Sequence, residues 1–182
     1  ENLFGYQFGY LLQAAQLMRG VSKLSDVTAK EVAESHETYQ QAYENLAPYK
    51  RLFDIWLSQY FGNKKAQDIA NQHAQAIVDN KYMDLDAGDV STINAARPLA
   101  ASKQFFHWEL EFPEVFFDEA KRKDDGGFDA VVGNPPYVRQ EGLGDDKVAF
   151  KALYEVFNSI ADLYTYFIER SHVFLRPNGR FS

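Results

Sequence analysis

The chain has no cysteine among its 182 residues, which excludes disulfides and thiolate metal sites and agrees with a reducing compartment. Basic residues are in the minority: 19 Lys and Arg stand against 26 Asp and Glu, for a net charge of −7. That balance excludes a domain that holds nucleic acid through bulk charge, because phosphate contacts dominate such binding. Any basic grip must be local, drawn from Arg139, Lys147, Lys151, Arg176 and Arg180, or lie elsewhere in a longer protein. No run approaches the roughly 18 consecutive apolar residues of a membrane span. No basic, apolar, small-residue signal opens the chain, so the expectation is a cytoplasmic protein without membrane association. His36, His73, His107 and His172 are scattered without ligand spacing, and no metal site is expected.

What is present suits a globular protein of one or two compact units: 46% of the residues are hydrophobic and 25% charged. From Leu3 to about Lys81 the periodicity is helical, with Leu11, Ala15 and Met18 on one stripe and Val32, Tyr39, Tyr43 and Leu46 on another. Thr28 and Glu31 have capping-box spacing, with Ser25 and Asp26 as equally good caps. Pro48 is expected to break the helix. A further helix carries Leu52, Phe53, Trp56, Leu57 and Tyr60 and stops at Gly62-Asn63.

Asp84 to Arg97 mixes Asp, Gly, Ser, Thr and Asn and is expected to be a loop ended by Pro98. The division that follows is a helical part at 1–82, a linker at 83–104 and a mixed part at 105–182. In the last, Phe105 to Phe112 alternates as a strand or extended segment closed by Pro113. A charged turn, Lys121 to Gly127, precedes a short buried strand at Phe128 to Gly133. Beyond it, Glu141 to Lys147 reads as a flexible polar loop. Helical patterns follow through Phe150, Leu153, Val156 and Phe157, and then, with Asp162 as cap, through Leu163, Phe167, Arg170 and Phe174. Pro177-Asn178-Gly179 is a turn signal before a strand that Arg180-Phe181-Ser182 begins.

The strand runs directly into Asn134-Pro135-Pro136-Tyr137. Four specified residues arise by chance in a chain this long with a probability of about one in a thousand at uniform usage. In open parallel α/β sheets ligands bind beyond the carboxyl ends of strands, which is where this order puts the tetrapeptide. Asn134 and Pro135 each precede a proline and are pushed toward extended geometry, and the two rings fix their own φ near −65°. Gly133 allows a sharp turn or a close approach. The chemistry that suits the tetrapeptide is methylation of an exocyclic amine whose lone pair is delocalised into its ring. Two acceptors aimed at the amine's hydrogens favour the tetrahedral form and stabilise the developing charge. The Asn134 carboxamide oxygen and the Pro135 carbonyl can supply them, and Tyr137 offers a flat face to an extruded base.

Asn-Pro-Pro-Tyr after an apolar strand resembles the signature of adenine-specific DNA amino-methyltransferases. The wider run Gly127 to Arg139, the block Phe106 to Phe116, Asp162-Leu163-Tyr164 and Leu175 to Arg180 resemble large type II, type IIG-like restriction-modification methylases over roughly residues 104 to 182. The resemblance implies a partial Rossmann-like, doubly wound α/β methyltransferase fold with an N-terminal helical insertion. It implies S-adenosylmethionine as cofactor, double-stranded DNA as partner, catalytic roles for Asn134, Pro135, Pro136 and Tyr137, and substrate contacts from Gly133 and Arg139. One departure counts: the family's glycine-rich cofactor loop is absent. Gly126-Gly127 and Gly142-x-Gly144 do not fit it, so the loop is expected upstream of Glu1, no cofactor-binding residue is assigned, and this piece alone is expected to be inactive.

Other readings stand beside this one: the tetrapeptide as a structural polyproline turn, or, less readily because the preceding strand would bury it, as a polyproline peptide ligand. A noncatalytic module would use the helical half to bind DNA or a protein on a degenerate methylase scaffold. Cytosine amino-methylation uses a similar acceptor, but is usually associated with serine at the first motif position. Glu114, Asp118, Glu119 and Lys121 are reminiscent of a metal-dependent nuclease site, although a solvated charged turn accounts for them more simply. The oligomeric state is not legible.

Overall fold

A computed structural model describes residues 16, 20, 27–118 and 121–182 of the chain. The stripe of Leu11, Ala15 and Met18, the alternative caps Ser25 and Asp26, and Glu119 lie outside the described residues. The chain divides into two compact units, Glu1–Gln59 with Asn63–Lys123, and Tyr60–Gly62 with Asp124–Ser182.

The first unit is helical. Helix α1 spans Ala29–Ser58 and begins as a complete capping box: the Thr28 side chain accepts from the Glu31 N–H, and the Glu31 carboxylate accepts from the Thr28 N–H at 2.8 Å. Its buried stripe is Ser35, Ala42, Leu46, Tyr49, Leu52, Ile55 and Ser58, whereas Val32, Tyr39 and Tyr43 from the expected stripe stay exposed. The break expected at Pro48 does not occur, since the proline lies inside α1. A helix-interior proline costs about 3 kcal/mol. Leu46, Tyr49, Leu52 and Ile55 on either side of it are buried, at roughly 1.5–3 kcal/mol for each large side chain, and tertiary packing outweighs the missing bond. The chain does turn at Gly62, whose φ of 100° disfavours a side chain. Asn63 secures the corner, its Nδ2 donating to Ser58 Oγ at 3.0 Å and to the Thr92 carbonyl at 2.9 Å.

Helices α2 (Ala66–Gln72) and α3 (Ala74–Val78) follow, and then α4, Ala87–Lys103. Helix α4 corrects the expectation of a linker over 83–104 and of a loop ended by Pro98. Asp86 caps it by accepting from the Gly88 N–H at 2.7 Å, and Ala95, Ala96, Ala100 and Ala101 bring the best helix propensity. Ile93 and Ala96, one turn apart, pack on Leu52, Ile55, Ala66, Ile69, Ala70 and Ile77. Pro98 lies inside the helix, and the carbonyl it leaves without an N–H belongs to Asn94, an exposed residue that solvent reaches. The polar composition was misleading because alanine carries the helix.

Residues Phe105 to Phe112 do not form a strand. Trp108–Glu111 is a helical turn, α5, and Pro113 opens rather than closes the next, α6, Pro113–Phe116, at the first helical position where its missing N–H costs nothing. Phe106, Trp108 and Phe112 pack on one another, with ring centroids 4.9–6.5 Å apart, so the aromatic alternation serves a local cluster. His107 Nε2 meets Asp54 Oδ1 at 2.7 Å and ties this segment to α1.

The second unit is a β-α-β arrangement. Strand β1, Phe128–Val131, pairs in parallel with β2, Leu175–Phe181, and the crossover that parallel strands demand runs through a 3₁₀ segment (Gln140–Asp146), α7 (Lys147–Leu153) and α8 (Leu163–Phe174). The parallel pairing agrees with expectation, but the burial does not: Asp129 and Ala130 are exposed, as is Val132 at 79%. A parallel strand is buried when layers cover both faces, and among the described residues this sheet has two strands. The pairing steps from Phe128↔Leu175 to Ala130↔Arg180, so the expected turn at Pro177-Asn178-Gly179 exists as a bulge inside β2, with Asn178 at φ 66°. The expected loop at Glu141 to Lys147 is instead largely 3₁₀ and buries Leu143. Helix α7 stops at Leu153, short of Val156 and Phe157. Between α7 and α8, Tyr166 is buried among Phe150, Tyr154 and Phe157, its closest ring being Phe150 at 4.8 Å.

Candidate active site at the end of a parallel strand

Asn134 to Tyr137 is non-helical and leaves the carboxyl end of β1. The segment is tied at both ends. Upstream, the Gly133 N–H donates to the Ser182 carbonyl at 3.1 Å and the Ser182 N–H to the Val131 carbonyl at 3.0 Å, so the ladder with β2 continues to the motif. Downstream, the Leu163 N–H donates to the Val138 carbonyl at 3.0 Å and the Gln140 N–H to Asp162 Oδ1 at 3.0 Å. The Gln140 side chain is held in turn by Lys147 Nζ. Asp162 stands at the N-cap of α8, as expected, but makes no side-chain cap bond there. Its carboxylate is spent on the motif loop, forgoing a contribution of about 0.5–2 kcal/mol to its own helix.

Within the loop the Val138 N–H donates to the Pro136 carbonyl at 2.8 Å, a three-residue turn centred on Tyr137. Tyr137 is 86% exposed at the apex. Among the described residues, the Asn134 carboxamide and the Pro135 carbonyl accept no hydrogen bond, whereas the Pro136 carbonyl is occupied. Gly133 is explained by close approach: a Cβ there would stand 2.5 Å from Phe167 Cζ. Phe167, on α8, was expected only as part of an apolar stripe, and its place beneath the motif has no signal in the sequence beyond its spacing from Asp162.

Arg139 is exposed and, with Lys147, acts on Glu141. The Glu141 carboxyl lies below its ordinary value, chiefly because its own backbone N–H and the Gln140 side chain donate to it, with these two cations adding. Arg176 is engaged with Asp129. The five basic residues do not act as one group, then, since one is drawn to the sheet and two to a carboxylate.

Three glycines of this unit are filled by the chain's own atoms, whereas Gly144, at φ 50°, has open space around it. At Gly127, Gly133 and Gly179 an added Cβ would meet, respectively, β2 backbone, the Phe167 ring and the backbone and side chains of the β1–β2 pair, all within 3.0 Å. A cleft of about 740 Å³ in the first unit, lined in part by Lys50, Arg51, Asp54 and Arg97, includes no motif residue. No residue of this chain is assigned to S-adenosylmethionine. Among the described residues no group of three or more His, Asp or Glu could hold a metal ion, and no helix is long and apolar enough to cross a membrane.

Residues 52–182 match the family described as Eco57I restriction-modification methylase. The chain belongs to this family. The match reaches back to Leu52, before the part from residue 104 onward that carries the motif. The chain is 48% identical over 54 residues to Type II methyltransferase M.XhoI of Xanthomonas vasicola, covering 29% of this chain and 10% of that protein. It is 45% identical over 56 residues to Type II methyltransferase M.PaeR7I of Pseudomonas aeruginosa, covering 30% and 10%. Type II methyltransferase M.BstVI of Geobacillus stearothermophilus is 45% identical over 53 residues, covering 29% and 9%. The chain thus spans about a tenth of the length of the curated relatives it matches. No solved structure matches it.

Proposed function

We propose that this chain carries the acceptor-binding part of a site-specific DNA adenine methyltransferase of a restriction-modification system, acting on double-stranded DNA in the cytoplasm. In this reading residues 105–182 are part of the catalytic domain, β1 and β2 are neighbouring strands of a doubly wound sheet, and the preceding helices are an insertion. The observation that carries it is the pair of unoccupied acceptors, Asn134 Oδ1 and the Pro135 carbonyl, on a loop tied at both ends beyond a parallel strand.

An adenine flipped from the duplex stacks on the exposed Tyr137 ring. Its exocyclic amine donates both hydrogens, one to Asn134 and one to Pro135. These fixed acceptors favour the more tetrahedral nitrogen and the positive charge that it gains as it attacks, and they need no reorganisation at that moment. Pro136 withdraws one N–H from the vicinity and keeps Pro135 extended. S-adenosylmethionine is the methyl donor that the family implies. No residue of this chain is assigned to it, and the chain's share of the reaction is the acceptor side.

The test is tritiated methyl transfer from S-adenosylmethionine to duplex DNA by the protein that contains this chain, with product located on adenine or cytosine by nucleoside analysis. Asn134→Ala is expected to lower the chemical step by about 10²–10³-fold with the melting temperature unchanged. Near-wild-type activity in that variant, or label on cytosine, would end this assignment.

A further inference from the structure

We propose that Asp162 is a positioning residue that clamps the downstream end of the motif loop and so holds the acceptors and Tyr137 in register, an inference that rests on the methyltransferase reading above. An aspartate at a helix N-cap ordinarily accepts from the second or third N–H of its own helix. Asp162 is at that position for α8 and makes no such bond. Its Oδ1 instead accepts from the Gln140 N–H, 22 residues earlier in the chain, at 3.0 Å. The adjacent backbone repeats the connection, with the Leu163 N–H on the Val138 carbonyl at 3.0 Å. Two consecutive residues at the start of one helix thus hold alternate residues of the strand-end loop, immediately after Tyr137.

The second observation is that the bonds joining Val138 and the Gln140 backbone to another element run to the start of α8. Tyr137 is 86% exposed, and Gly142 and Gly144 follow closely. Lys147 adds a grip on the Gln140 side chain but leaves its backbone to Asp162. Pro135 and Pro136 stiffen the loop internally, yet stiffness alone does not aim it. Direction comes from its two anchors, the β2 ladder at Gly133 and the start of α8 at Val138 to Gln140. Misplacement by an ångström at a reacting centre is enough to cost about a hundredfold in rate. Asp162 touches no reacting atom and acts through the loop backbone.

The test uses the protein that contains this chain, with Asp162→Ala and Asp162→Asn, the latter keeping an acceptor oxygen. In Asp162→Ala, kcat is expected to fall at least tenfold while KM for DNA, the affinity for S-adenosylmethionine and the melting temperature stay within twofold or 2 °C of wild type, markers of about no change in binding or fold. Amide hydrogen exchange at Gln140 should rise at least tenfold, with exchange at Tyr164 and Thr165 unchanged. Asp162→Asn should retain kcat within about threefold and keep Gln140 protected. Unchanged protection at Gln140 in Asp162→Ala would overturn the clamp, as would faster exchange confined to Tyr164 and Thr165, which is the mark of an ordinary helix cap. Equal losses in kcat, cofactor affinity and melting would also overturn it. Failure of the methyltransferase reading shows separately, as full activity in Asn134→Ala, and exchange at Gln140 decides the clamp in either event.

Discussion

Phe167 reaches so close to Gly133 that a Cβ on the glycine would stand 2.5 Å from the tip of its ring. The glycine is not in the left-handed region of φ, so the constraint is contact rather than backbone strain. Gly133→Ala should therefore push the residue before Asn134 off α8, lowering methyl transfer by about tenfold or more, in line with the sensitivity of reacting geometry. Gly133→Ala with Phe167→Leu should recover part of the loss. If the double variant is no better than the single one, the contact with Phe167 is not the reason for the glycine.

Tyr137 separates stacking from packing. At 86% exposure it supports no core, so Tyr137→Ala should leave thermal melting unchanged and weaken capture of the base by about 1–3 kcal/mol. Tyr137→Phe keeps the ring and should be much milder. Fluorescence of 2-aminopurine at the target position reads base capture directly, and a Tyr137→Ala variant with unaltered fluorescence would contradict the stacking role.

The helical unit is held by a small core in which Ile77 is fully buried against residues of α1, α2 and α4. Ile77→Ala should cost about 2–5 kcal/mol, read as a lower urea midpoint by circular dichroism. Thr28→Ala should cost about 0.5–2 kcal/mol through the capping box, which is exposed. A Thr28 effect as large as that of Ile77 would show that the start of α1 is buried by something further.

Burial pushes the Tyr166 hydroxyl above its ordinary value, and the hydroxyl donates to the Asn158 carbonyl at 3.3 Å. A folded-state value above the unfolded one means that the neutral phenol favours the fold. This contribution is complete below the unfolded value of about 10 and is lost as pH rises through the folded one. Tyr166→Phe should be less stable at pH 8, by about 0.5–1.5 kcal/mol for the missing hydrogen bond. The difference should narrow above about pH 10. Urea midpoints at the two pH values check this, and a gap that widens at high pH would contradict it.

The order of apolar and polar residues around Asn134 was enough to place a parallel strand end and a non-helical loop, because two prolines and the strand before them restrict the backbone through local sterics. The Thr28 and Glu31 pair was legible for the same reason: a capping box closes within four residues. Pro48 and Pro98 were misleading, since a proline's local cost is set against packing between helices that no window of sequence contains. Helix α4 went unseen because Ile93 and Ala96 count as a core stripe only once α1 and α2 stand beside them. Trp108 and Phe112 alternate like a strand, yet pair their rings across a single helical turn. The grip of Asp162 on Gln140 and the fit of Phe167 against Gly133 were decided by tertiary structure alone, for both join segments more than 20 residues apart, and only the crossover between β1 and β2 brings the start of α8 against the loop.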